Sequence, residues 1–143
     1  MCWEELMILI LELLFLGIGT WFDIRYRELP MNFLMIYGVF GVFCNVFLKY
    51  QSMKAVVFGG MIGVCFLLIG RITKEAIGYG DGIGIGILGI FEGFSAMVPV
   101  VFGAFFVSGI YGLWKLWWLK QCGRDTMPFF PFLLAAFVGV KIL

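Results

Sequence analysis

Six apolar stretches follow one another through this chain, separated by breaks of only a few residues, and that pattern leaves few folds open to it. The stretches cover residues 6–22, 31–48, 55–70, 77–94, 97–119 and 128–143. Most of the charge falls in the breaks "DIRYRELP", "KYQSMK", "RITKE" and "KQCGRDTMP", while the turn at "FSAM" is almost absent. A hydrocarbon core about 30 Å thick takes roughly 20 apolar residues as helix, and somewhat fewer where the ends snorkel. With 63% hydrophobic and 13% charged residues, a water-soluble core does not account for the composition. The pattern predicts an all-α, polytopic membrane helical bundle of about six transmembrane helices. It forms a single domain over residues 1–143, with no linker and no low-complexity tract.

Charge and cysteine usage exclude several classes. A net charge of +1 with no basic stripe offers nucleic acid no phosphate-binding surface. Cys2, Cys44, Cys65 and Cys122 form no CxxC pair and the chain has no histidine, so no metal site or other cofactor is expected. Glu4 and Glu5 stand where a signal peptide would be basic, so the first stretch reads as a retained helix. Orientation follows from the excess of Lys and Arg in cytoplasmic loops. Arg25, Arg27, Arg71, Lys74, Lys115, Lys120 and Arg124 flank the first, third and fifth breaks, against Lys49, Lys54 and Lys141 on the other side. This predicts a cytoplasmic position for those three breaks and places both termini outside the cytoplasm.

Carboxylates inside such helices need a reason, because insertion of an ionised one near the bilayer centre costs roughly 2.5–3.5 kcal/mol. Asp81, within the glycine-rich "AIGYGDGIGIGILGIFEG", is the leading candidate, although an Asp near a helix start also fits an N-cap. Asp23 taken alone reads as an exposed charge paired with Arg25 and Arg27. At the predicted orientation, however, both aspartates lie at one depth on different helices. Two adjacent carboxylates do not both ionise easily, so one can act as base toward water while the other donates a proton. The sequence assigns neither role. Glu12 precedes Asp23 by eleven residues, three turns or about 16 Å, and so shares its helix face; it reads as structural. Glu92 reads as a snorkelling side chain without a role.

The glycines have two readings that can hold together. Spacings such as Gly78, Gly82, Gly86 and Gly80, Gly84 let membrane helices approach closely. Gly78 and Gly80 would also free the backbone beside Asp81 to take torsions denied to other residues, and leave room for a substrate backbone. A phosphate loop is poorly supported, because the pattern lacks the GK[ST] ending and nothing resembles a strand before it.

Three patches resemble the prepilin peptidases, membrane aspartic proteases with a GxGD motif. "DIRYRELP" with nearby Asn32 is similar to the family's D-I-R-x-R-x-I-P-N, "GYGDG" to its GxGD motif, and "MPFFPFLLAAFVG" to its closing helix. The resemblance implies catalytic roles for Asp23 and Asp81, with motif support from Gly78 and Gly80, and implies no substrate-binding residue. It implies an endopeptidase of the inner (cytoplasmic) membrane that removes the cytoplasmic leader from prepilins or pilin-like proteins. It implies no cofactor and no nucleic-acid partner. Ile83 stands where the family often has Lys, and Met31 separates Pro30 from Asn32, so Asn32 carries no role. Paired N-terminal cysteines of the bifunctional members are lacking, and a short form without a methyltransferase segment is expected. The rival expectation is a small non-enzymatic transporter subunit or assembly factor, with Asp81 and Glu12 forming a cation path.

Overall fold

The computed structural model describes residues 2–74, 77–120 and 127–143, and is helical nearly throughout. Its helices are α1 (Trp3–Tyr26), α2 (Met31–Leu48), α3 (Met53–Ile72), α4 (Tyr79–Leu119) and α5 (Phe130–Ile142). Among the described residues, α1 to α4 are long and apolar enough to cross a membrane, and α5 is a shorter apolar helix. Basic residues in the left-handed conformation close three of them: Arg27 after α1, Lys49 after α2 and Lys120 after α4. A cation there is favoured by the negative end of the helix dipole.

Helix α4 is two limbs. Its 41 residues are interrupted at Gly93, whose φ of 77° and ψ of 173° are not helical. A straight helix would hold Phe105 about 36 Å from Asp81, at 1.5 Å per residue. Instead Phe105, Ser108 and Asp81 line one cavity, so the chain turns back at Gly93. The six apolar stretches thus correspond to α1, α2, α3, the limb 79–92, the limb 94–119, and α5. The reversal expected at "FSAM" comes at the residue just before it, because Gly93 is free of the steric penalty that a side chain meets at positive φ.

The first limb of α4 is the centre of the bundle. Eight of its fourteen residues are buried, against six of 24 in α1, four of 18 in α2 and three of 20 in α3. Helix α3 packs along it so closely that backbones touch. A Cβ on Gly59 would collide with the Gly89 carbonyl, and one on Gly63 with the Gly86 backbone. Where neighbouring lipid is as apolar as any side chain, such close packing is a main source of helix association. The opposite pattern holds on α1. Its outer face carries Met7, Ile10, Leu14, Ile18 and Trp21, whereas its buried stripe is Ile8, Glu12, Phe15, Leu16, Gly19 and Asp23. The sequence expectation that Glu12 and Asp23 share the inward face therefore holds. Cys2, Cys44 and Cys65 are free thiols; Cys122 and Arg124 lie outside the described residues.

Gly63→Val should force α3 away from α4 and destabilise the protein by about 1–3 kcal/mol. Gly17→Ala, where a Cβ meets nothing within 4 Å, should be neutral; thermal unfolding of both variants in detergent checks this.

Candidate active site

Asp23 and Asp81 reach the same cavity from different helices, and each is placed by the start of a helix. Asp81 lies in the first turn of α4, where Gly78 is the N-cap and its carbonyl accepts the N–H groups of Asp81 and Gly82. The N-cap reading of Asp81 itself is thereby corrected. A carboxylate in the first turn faces the positive end of the helix dipole. Asp23 lies in the last turn of α1 and is 7% exposed. Its Oδ2 accepts the backbone N–H of Phe130 at 2.9 Å, so it caps α5 from a residue 107 positions away. At that end Pro131 has no N–H to give, and the Phe132 and Leu133 N–H groups already bond the Phe129 carbonyl. Phe130 N–H would be an unpaired donor without Asp23.

The cavity has a volume of about 720 Å³ and is lined by both aspartates, Gly78, Tyr79, Gly80, Arg27, Glu28 and Ser108, with an apolar wall of Leu29, Phe105, Phe129 and Phe132. The two carboxyl groups are close enough to interact electrostatically. Ser108 Oγ donates to the Phe105 carbonyl at 3.1 Å.

The Phe130 ring spaces the two acids. A Cβ on Gly19 would come within 2.5 Å of Phe130 Cε1, and one on Gly84 within 2.5 Å of its Cζ. Gly19 is one turn before Asp23 and Gly84 nearly one turn after Asp81, so one ring wedged between two glycines sets how far apart α1 and α4 stand at the dyad. Phe15 meets the same ring edge-on, at 5.9 Å between centroids.

All four residues singled out by the sequence, Asp23, Asp81, Gly78 and Gly80, line the cavity. The reason offered for the glycines changes. Neither has a positive φ; among the described glycines only Gly93 does. What Gly78 and Gly80 supply is space. A Cβ would lie 3.1 Å from Asp81 Oδ2 at Gly78 and 3.1 Å from Leu29 Cδ1 at Gly80. Arg25 stacks over Trp21 at 5.9 Å and, unlike Arg27, does not line the cavity. Ile83 packs against the apolar core. Phe105 and Ser108 were missed, since nothing in their local sequence sets them apart, and Phe130, although within the quoted closing-helix patch, was given no role.

A sequence model of the Type IV leader peptidase family matches residues 9–113, which contain both aspartates. The "Prepilin leader peptidase/N-methyltransferase" proteins of Burkholderia pseudomallei strains 1026b and K96243 are each 31% identical to this chain over 101 residues. That match covers 66% of this chain and 33% of each relative, so the chain matches about a third of their length. No solved structure matches.

Asp23→Ala should leave the buried Phe130 N–H unsatisfied and lower stability by about 1–3 kcal/mol. Asp23→Asn keeps an acceptor and should lose less than half of that. Thermal unfolding of the two variants in detergent separates the structural duty of this side chain from any chemical one.

Proposed function

Since the chain belongs to the type IV leader peptidase family, we propose that it is an aspartic endopeptidase that cleaves the leader from prepilins or pilin-like proteins. The observation that carries this reading is the convergence of Asp23 and Asp81, from α1 and α4, on one cavity. A pair of carboxylates that interact can divide the two tasks of amide hydrolysis. The ionised one takes a proton from water as it attacks the scissile carbonyl. The protonated one donates toward the carbonyl oxygen and then the leaving amine. Each acid faces the start of a helix, but among the described residues only Asp23 accepts a backbone N–H, that of Phe130, which suits Asp23 to carry the charge and leaves Asp81 as the proton donor.

The lining suits such a substrate. It combines polar groups, Asp23, Asp81, Arg27, Glu28 and Ser108, with apolar side chains such as Leu29, Phe105, Phe129 and Phe132, a mixture that suits a segment where a polar leader joins an apolar helix. The excess of basic residues around the first, third and fifth breaks supports a position of this end of the bundle at the cytoplasmic face of the inner membrane. A leader retained in the cytoplasm would meet the dyad there.

Membranes containing the chain and a prepilin with a basic leader, a glycine and an apolar helix provide the test. Asp23→Asn and Asp81→Asn should each reduce leader removal by on the order of 10³-fold while the protein stays inserted, scored by the mobility shift of the mature product. Cleavage by either variant at near the wild-type rate would overturn the dyad.

A further inference from the structure

The acids in the bundle recur at a second level. Glu12 precedes Asp23 by eleven residues, Glu92 follows Asp81 by eleven, and Lys141 follows Phe130 by eleven. Three turns of helix, about 16 Å, thus separate the dyad from another meeting of α1, α4 and α5. At that level the Glu12 carboxyl lies within hydrogen-bonding reach of the Glu92 carboxyl, and Lys141 forms an ion pair with Glu92. Glu92 is 6% exposed, so the snorkelling expected of it is corrected: the side chain turns into the bundle toward Lys141. Glu12 is 1% exposed, and both of its carboxyl oxygens are buried with no hydrogen-bond donor.

Charge does not balance in this cluster. Two carboxylates and one ammonium sum to −1 − 1 + 1 = −1, in surroundings that include the buried Ile8, Leu88, Phe91 and Phe137. Among the described residues, the other groups facing it bring no positive charge. Gln51 donates to the Glu92 backbone carbonyl at 3.3 Å, not to its carboxylate. Tyr50, in the connection between α2 and α3, is near the same acids; burial and then the Glu92 charge push its phenol above the usual range, so it stays neutral. Glu5 at the start of α1 adds only negative charge. An uncompensated charge in such a place is strongly unfavourable, and two carboxylates in contact need a positive species between them.

We propose that Glu12 and Glu92 form a second, non-catalytic site that binds one monovalent cation, a proton or a sodium ion. A single positive charge neutralises the cluster. A divalent ion would overshoot it. With a proton, one carboxylic acid donates to the other carboxylate; with sodium, the free Glu12 oxygens become ligands. Either ion ties α1 to α4 while Lys141 ties α5 to α4. The site stands whether or not the chain is a peptidase.

Thermal unfolding of the full chain in detergent tests this, in choline, potassium or sodium chloride from mildly acidic to alkaline pH. For the wild type, we expect a rise in Tm of about 4 °C or more on acidification if the ion is a proton, or on replacing choline with sodium at alkaline pH if it is sodium. Glu12→Gln, which is neutral and can donate to Glu92, should lose the sodium response and keep only the part of the acid response that the Asp23–Asp81 pair contributes. Lys141→Met leaves two carboxylates without a counter-charge and should show a larger rise than the wild type. Should Glu12→Gln fail to fold, Glu92→Gln serves, because Lys141 then balances Glu12 and the response should fall to the same remainder. The proposal is overturned if the wild type and the Gln variant that folds respond alike to pH and to sodium.

Discussion

The hydrogen bond from Phe130 N–H to Asp23 is the contact on which the arrangement of this protein turns. It solves two problems at once. A helix that begins inside an apolar bundle has N–H groups that water cannot reach, and a carboxylate in the same place lacks solvation. Each supplies what the other lacks, at 2.9 Å. The ring of the same residue then fills the slot between Gly19 and Gly84. One residue therefore orients a carboxylate through its backbone and spaces two helices through its side chain.

The bundle is built on an inversion familiar from proteins in lipid: the outer surface is apolar and the scarce polar groups point inward. On α1 the inward stripe holds both Glu12 and Asp23. Close packing of α3 on α4 through Gly59, Gly63, Gly86 and Gly89 makes the central limb rigid without large side chains. Phe66 of α3 stacks on Phe105 of the returning limb at 5.2 Å, and Phe105 forms part of the cavity wall. The reversal at Gly93 is what brings that wall back to Asp81.

Much of this was legible in the chain. The apolar runs and the charges between them announce helices that cross a bilayer, and eleven residues between Glu12 and Asp23 announce a shared face. Asp81 stood out because an acid in so apolar a segment is hard to explain otherwise. Other features were hidden for a physical reason. A glycine that permits a torsion and one that leaves space for a neighbour look alike in a sequence, and for Gly78 and Gly80 it was the neighbour that mattered. Glu92 looked free to snorkel from a helix end, since only the path of α5 brings Lys141 beside it.

By itself the sequence determined the class, the helices and the two acids worth watching, because hydropathy and helical periodicity act over a few turns and are written locally. Tertiary structure alone decided which groups those acids meet. Asp23 finds its donor 107 residues away, the two limbs of α4 depend on one torsion at Gly93, and Glu12 meets Glu92 and Lys141 from three different helices. Such pairings are set by how helices pack, which depends on the shapes of all of them together and is encoded at no single position.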